Sequence, residues 1–207
     1  MLSSPLPRPL SHDRVVSSIP RASEHPTSSA SSAPANSESE TGAHSSGNWV
    51  YPSESQFFHA VLRKHSPSSL PSSGGDPSTL AATMPTIIPI HNAVNERAWS
   101  LIKTWEGSTS AACGGPKLAS FRGLGAGALS PKARFNSLMG YSAPFDRHDW
   151  VVERCNGQRV EYLIDFYQGK EEAGGRPGQL NFYLDVRPKL NSFEGVRMRA
   201  ERALGMR

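Results

Sequence analysis

Two histidines stand beside residues that could orient them for chemistry. His91 lies between the segment TIIPI and Asn92, and His148 lies between Asp146 and Asp149. A neutral imidazole can bind a metal through one ring nitrogen, and a hydrogen-bond partner on the other nitrogen fixes the tautomer and the ring orientation. His91 is therefore a candidate metal ligand, and His148 is a candidate base or supporting residue.

Prolines and an apolar stripe define the surroundings of His91. Pro85 and Pro89 lack a backbone donor and push the preceding residue toward extended geometry, which predicts an extended segment over residues 86–90. Asn92 is a competent N-cap for a helix that ends near Glu106. The apolar stripe of that helix consists of Val94, Ala98, Leu101, Ile102 and Trp105. A helix start would keep the imidazole neutral, but a histidine there often serves only as a capping or surface residue.

His148 begins the most strand-like part of the chain. The Asn156-Gly157 turn joins predicted strands over residues 150–155 and 158–167, and alternating apolar residues predict a third strand over 180–186. We therefore expect three antiparallel strands. One carboxylate beside His148 could orient the imidazole, or the group could be a solvated charge cluster at a strand start.

Three further helices are predicted from their caps. They cover residues 52–64, residues 130–139 and a C-terminal helix that begins at Asn191, with Glu194 completing a capping box. The C-terminal helix carries Arg197, Arg199 and Arg202. It could lie on anionic lipid, and a plain solvated face explains the same charges.

Composition divides the chain near residue 47. Residues 1–47 are rich in Ser, Pro and Ala and contain no aromatic residue, which predicts a disordered tail. Residues 48–207 suffice for one domain, with a flexible linker over 65–83. Residues 107–128 are predicted to form a loop, because GLGAG lacks the strand, the helix and the Lys-Ser/Thr pair of a phosphate-binding loop. The predicted fold is α+β, with helices packed around a small antiparallel sheet.

Charge and cysteine content narrow the class of protein. The net charge of +4 and the pI near 9.3 favour an anionic partner weakly, and nucleic acid ranks last because no basic run carries interleaved aromatics. Cys113 and Cys155 form no CxxC site and are predicted to be unpaired thiols, although one bridge could form. The sequence has no run of about 18 apolar residues, so no membrane-spanning helix is predicted.

The first residues leave the question of targeting open. They are acid-poor and contain Arg and Ser, as in a mitochondrial presequence. Four prolines would break the amphipathic helix that such a signal needs. These are Pro5, Pro7, Pro9 and Pro20.

Four blocks of sequence resemble the holocytochrome c synthases, also called cytochrome c heme lyases. They are NWVYPSESQFFHAVLRK from Asn48, IPIHNAVNERAW around His91, LSPKARFNSLMGYSAPFDRHDWVVERC from Leu129 and YLDVRPKLNSFEGVRMR from Tyr183. They occur in the order typical of the family, and four long blocks in order are more specific than any short motif. No Cys-Pro heme-regulatory motif, common in the family's N-terminal region, occurs in this sequence.

The resemblance implies a lyase that joins heme b to the CxxCH thiols of apocytochrome c. His91 is implied as the axial ligand of the heme iron, and His148 as its functional or structural partner. The other implied heme-contact residues are Trp49, Tyr51, Asn92, Glu96 and Arg154. From the residues alone, the two aromatic residues would more often cap a core, and Arg154 could pair with Glu96 or with a heme propionate.

The resemblance also implies a location and leaves alternatives. The implied location is the mitochondrial intermembrane space, with peripheral attachment to the inner membrane. A cytochrome c1 heme lyase, a non-catalytic heme carrier and a lipid-surface adaptor remain as alternatives.

Overall fold

Four helices and two antiparallel sheets make up the described part of the chain. The computed structural model describes residues 8–22, 45–64, 77–125, 127, 129–169 and 182–206. The predicted α+β class is confirmed. The chain folds as two compact units, one of Met1–Pro20 with Asn36–Arg97 and one of Arg21–Ala35 with Ala98–Arg207. None of the described helices combines the length and the apolarity that a membrane crossing needs.

The first unit contains a two-stranded sheet and two helices. Strand β1 (Val16–Pro20) pairs with strand β2 (Asn48–Val50), with Val16 opposite Val50. Helix α1 (Glu54–Lys64) agrees with the predicted helix, because Ser53 and Gln56 cap its start through reciprocal hydrogen bonds.

Strand β1 lies inside the predicted disordered tail. Ser17 and Ile19 are buried on one side of it, and Arg8 forms a 2.7 Å ion pair with Glu54. The prediction of disorder is wrong for residues 8–22, because a segment more than 25 residues away along the chain supplies the pairing partner. Residues 1–7 and 23–44 lie outside the described part of the chain.

Helix α2 (Pro77–Glu106) replaces the predicted extended segment. It runs through Pro85 and Pro89, so the prediction for residues 86–90 is wrong, and Asn92 is not an N-cap. Each interior proline costs about 3 kcal/mol, but both rings lie on the exposed side of the helix. Apolar packing on the opposite side offsets this cost. The packed side chains are Leu80, Ala81, Met84, Ile87 and Ile88, together with Phe57, Phe58 and Leu62 of α1 and Leu10.

The same helix also shortens the predicted linker. Residues 77–83 are helical rather than flexible, while residues 65–76 lie outside the described part of the chain.

The second unit contains a four-stranded antiparallel sheet in the order β3-β4-β5-β6. Its strands are β3 (Lys117–Gly123), β4 (Asp146–Glu153), β5 (Arg159–Gln168) and β6 (Phe182–Pro188). The three predicted antiparallel strands are present. Strand β3 and a 3-10 turn at Ala111–Cys113 lie where a loop was predicted. The prediction missed β3 because it is a short edge strand among glycines.

Two short helices complete the second unit. Helix α3 (Pro131–Leu138) begins at the predicted cap, where the Ser130 hydroxyl accepts from the Ala133 amide. Helix α4 (Phe193–Ala203) is capped by Ser192 rather than by Asn191. Gly195 is required in α4, because a Cβ there would lie 1.8 Å from the carbonyl oxygen of Lys189.

Cys113 and Cys155 form a disulfide bond, so the prediction of two unpaired thiols is wrong. The bond joins the 3-10 turn to the β4–β5 hairpin across 42 positions of sequence. Sequence alone could not choose between the two states, because the folding of the sheet brings the two cysteines together.

Reduction of this disulfide is expected to lower the free energy of unfolding by about 4 kcal/mol, since the bond closes a long loop in the unfolded chain. Urea unfolding with and without a reductant measures the change. The variant Cys113→Ser/Cys155→Ser is the control, and its transition should not respond to reductant. An unchanged midpoint in fully reduced wild-type protein would contradict the prediction.

Candidate functional site

His91 lies in the middle of helix α2, where two asparagines contact its ring. The Asn95 amide nitrogen donates to the His91 carbonyl oxygen at 2.9 Å and lies 3.2 Å from Nε2 and 3.4 Å from Nδ1. The Asn92 Oδ1 atom lies 3.4 Å from Nδ1. The predicted dipole effect at a helix start is therefore wrong, and the neighbouring amides orient the ring instead.

Aromatic rings surround the His91 imidazole within the first unit. The ring of Phe57 lies 5.1 Å from the imidazole and that of Tyr51 lies 6.3 Å away, both edge to face. Trp49 and Tyr51 are both 8% exposed. The structure thus places Tyr51 beside His91. Phe57 was missed, although its place on the apolar face of α1 was visible in the sequence.

Glu96 of helix α2 forms hydrogen bonds with strand β1. Its carboxylate accepts hydrogen bonds from the Ser17 hydroxyl at 2.6 Å, from the Ser18 amide at 3.0 Å and from the Ser18 hydroxyl. The Tyr51 hydroxyl donates to the same carboxylate at 3.0 Å. Glu96 therefore fixes the tyrosine that lies beside His91, and it does not pair with Arg154. The two serines were missed because they belong to the predicted tail.

The charge state of this cluster follows from its hydrogen bonds. Burial alone would raise the pKa of Glu96, but the bonds from Ser17, Ser18 and Tyr51 hold it below the usual 4.5. Burial is the main reason that the pKa of Tyr51 lies well above 10, and the Glu96 charge raises it further. Glu96 is thus ionised and Tyr51 protonated near neutral pH, as the hydrogen bond between them requires.

The variant Glu96→Ala is expected to lose about 2 kcal/mol of stability and to release strand β1, since the buried Ser17 and Tyr51 hydroxyls lose a charged acceptor. Hydrogen–deuterium exchange at Val16–Pro20 and urea unfolding measure both effects. Glu161→Ala is the matched control, because Glu161 makes a partly exposed ion pair with Lys189. Equal protection of β1 in both variants would contradict the assignment.

The same contact predicts a response to acid. Because the pKa of Glu96 is lower in the folded state, its contribution is complete above about pH 4.5 and is lost as the pH falls through the folded-state pKa. The protection of Val16–Pro20, taken relative to the intrinsic exchange rate at each pH, should fall over that range in the wild type but not in Glu96→Ala. A pH-independent difference between the two proteins would exclude this linkage.

His148 belongs to the second unit and is oriented by Asp146. Its Nε2 atom lies 3.1 Å from the Asp146 carboxylate, and its ring lies 4.8 Å from the ring of Phe166. The buried Nδ1 atom has no hydrogen-bond partner among the described residues. Burial alone would raise the pKa of Asp146, but the His148 contact holds it below its usual value. Asp149 pairs with Arg147 and Lys189 instead.

Arg154 is also in the second unit and is almost fully buried. Its guanidinium contacts both oxygens of Glu106, at 2.6 and 3.2 Å, and lies 2.7 Å from Glu194. Tyr162 donates to Glu106 at 2.5 Å. The bidentate carboxylate contact expected of this arginine is thus made to Glu106, not to Glu96.

Comparison with known proteins agrees with the four sequence blocks. Residues 7–203 match the model of the cytochrome c/c1 heme lyase family. The putative holocytochrome-c1 synthase of Chaetomium thermophilum is 55% identical over 99% of this chain and 67% of its own length. The putative holocytochrome-c1 synthase of Schizosaccharomyces pombe is 50% identical over 74% of this chain and 63% of its own length.

A vertebrate relative is similar over most of the chain. The holocytochrome c-type synthase of Gallus gallus is 41% identical over 92% of this chain and 58% of its own length. The chain thus spans about two thirds of these relatives or less. No solved structure matches it. The family match over residues 7–203 and the identity to these relatives together show that the chain belongs to the cytochrome c/c1 heme lyase family.

Proposed function

We propose that the chain joins heme to the two thiols of the CxxCH segment of an apocytochrome c. Each thiol adds across one vinyl group of heme, so that a carbon–sulfur bond forms and the thiol proton passes to the other vinyl carbon. This addition requires no cysteine of the enzyme. The structure agrees with this, because Cys113 and Cys155 are bonded to each other and offer no free thiol.

The arrangement around His91 is the observation that supports this function best. A half-buried imidazole between aromatic rings suits a flat, apolar macrocycle whose iron takes a histidine ligand. The amide contacts to its ring nitrogens, at 3.2 to 3.4 Å, are at the weak end of hydrogen bonding. One of them can therefore give way to a bond with the iron of heme b, which binds as a substrate.

The other predicted residues act around that ligand. Trp49 and Tyr51 would flank the porphyrin, while Asn92 and Glu96 hold the imidazole and the tyrosine in place. The contacts of Asn92 with His91 and of Glu96 with Tyr51 support the roles of Asn92 and Glu96. The role of Trp49 comes from the family resemblance. The main task of the enzyme is to hold heme and the acceptor segment in one orientation. Effective concentration and alignment lower the barrier of such additions by roughly several kcal/mol.

His148 and Arg154 are proposed to contribute in different ways. His148 is a second candidate catalytic residue, because Asp146 fixes its ring while its Nδ1 atom lacks a partner among the described residues. Arg154 is committed to Glu106 and Glu194, so the contribution proposed for it in heme binding would act through the fold.

Cytochrome c1 is a second candidate acceptor. The two relatives named as putative c1 synthases are 55% and 50% identical to this chain, whereas the chicken c-type synthase is 41% identical. Both acceptors present a CxxCH segment, so the same site would serve either reaction.

The proposed location is the mitochondrial intermembrane space, on the inner-membrane surface. The disulfide supports a compartment that permits cysteine oxidation.

Coexpression with an apocytochrome tests the activity. The full chain is produced with apocytochrome c in one culture and apocytochrome c1 in another, and covalent heme is detected in the acceptor by mass spectrometry after denaturation. Acceptors in which both CxxCH cysteines are alanine are the controls. Heme that copurifies with the chain while the acceptor thiols stay free would favour a carrier and overturn the proposed reaction.

A further inference from the structure

Helix α3 presents its large apolar side chains to solvent. Phe135, Leu138 and Met139 are 62%, 83% and 63% exposed, whereas Ser130 and Ala133 on the inner side are each 1% exposed. A surface helix of a soluble protein normally has the opposite arrangement, with its apolar stripe on the core. On the inner side of α3 the Ser130 hydroxyl donates to the Asp165 carboxylate, while Lys132 pairs with Asp185 at the surface.

The exposed apolar surface continues beyond the helix. Tyr141 is 69% exposed and Phe145 is 47% exposed. The ring of Phe145 also lies 5.7 Å from that of Phe182 at the start of β6. We call Phe135, Leu138, Met139, Tyr141 and Phe145 the α3 patch. Five large exposed side chains within eleven residues of sequence are more than the scattered single apolar residues of an ordinary surface.

The segment that carries the α3 patch has only basic charges, although Asp146 follows it and Asp185 lies beside Lys132. Residues 129–145 contain Lys132 and Arg134 and no Asp or Glu. Asp185 partly neutralises Lys132 through a 2.8 Å ion pair, whereas Arg134 is exposed. Aromatic and aliphatic side chains with a basic margin match a lipid surface, where rings enter the headgroup boundary and cations meet anionic headgroups.

Helix α4 is the basic helix that the sequence suggested for binding anionic lipid. It is less suited to bind lipid than the α3 patch. Arg197 forms ion pairs with Glu194 and Glu201. Arg199 donates to the Pro188 carbonyl oxygen, and Arg202 lies 4.2 Å from the ring of Trp105. These arginines are engaged within their own unit, so their charges are less available to a membrane.

We propose that residues 132–145 are the surface by which this protein docks on an anionic lipid bilayer. Phe135, Leu138 and Met139 enter the acyl boundary, and Arg134 contacts the headgroups. The surface identifies which part of the chain carries the membrane attachment suggested above, and the evidence for it does not involve the heme site.

Vesicle flotation of the full chain tests the proposal. The probes are vesicles of phosphatidylcholine alone and of phosphatidylcholine with phosphatidylserine. We expect tighter binding to the anionic vesicles, weakened roughly tenfold by Leu138→Ser/Met139→Ser and reduced by Arg134→Glu. The matched control is Phe193→Ser/Leu204→Ser, at the first residue of α4 and at the residue that follows it, where the side chains are 83% and 74% exposed. It should bind as the wild type does.

Several outcomes would overturn the lipid assignment. Equal binding by the α3 and α4 variants would remove the α3 patch from membrane docking. Self-association that depends on Leu138 and Met139, without vesicle binding, would assign the surface to a second copy of the chain. Binding of the acceptor that is lost in the α3 variant would assign the surface to a protein partner. Heme attachment measured in vesicle-free detergent reports on the proposed reaction separately.

Discussion

Replacement of His91 by alanine is expected to abolish heme copurification and thioether formation together. The imidazole is the only proposed iron ligand from this chain, and its loss also removes the group that Asn92 and Asn95 orient. Product should fall below about one hundredth of the wild-type yield, because the acceptor would no longer meet a positioned heme. Heme absorbance of the purified chain and mass spectrometry of the acceptor measure the two effects.

A control and a rescue make this prediction specific. His59→Ala changes an exposed histidine of α1 in the same unit and should leave both measurements unchanged. Added imidazole should restore heme absorbance to His91→Gly, since a free ligand can occupy the space of the deleted side chain. Normal heme retention in His91→Ala would assign the iron to another residue, and loss of folding in that variant would show as an altered urea transition.

The sequence predicted those elements whose signals are local. Ser53 and Ser130 each accept from an amide three residues later, and Asn156-Gly157 supplies the tight turn between β4 and β5. These contacts lie within a few residues, so propensity and pattern suffice to find the helices and the hairpin. The α+β class followed from the alternation of such elements.

The elements that were missed depend on partners distant in sequence. Helix α2 tolerates Pro85 and Pro89 because its other side packs on α1, and no local rule anticipates that gain. Strand β1 depends on β2, strand β3 depends on β4, and the disulfide depends on the folding of the second unit.

The sequence predicted only part of the candidate site, because some of its contacts join segments that are distant in sequence. His91 and Tyr51 were both selected, and the structure places their rings 6.3 Å apart. Asn95 one helical turn from His91 could have been found from helical spacing once the helix was extended through Pro89. Ser17 and Ser18 could not be found, because composition assigned them to a disordered tail.

The other large predicted effect is the loss of stability when the buried ion pair of Arg154 and Glu106 is broken. Arg154→Ala is expected to destabilise the fold by about 4 kcal/mol, because it leaves a carboxylate with no exposed side-chain surface without its opposing charge. Arg159→Ala is the control, since Arg159 pairs with Glu153 while 52% exposed and should cost at most about 1 kcal/mol. Urea unfolding at one pH measures both variants.

The Arg154 variants also separate a structural role from contact with heme. Arg154→Lys keeps the charge but not the two-pronged contact with Glu106, so it should recover only part of the stability. Glu106→Gln/Arg154→Met removes both charges and should be more stable than Arg154→Ala. If the arginine acts through the fold, heme bound per folded molecule stays at the wild-type level in all three variants. A folded Arg154→Lys protein that has lost heme would instead place the guanidinium on a propionate, because only direct contact would make heme binding depend on the shape of that cation.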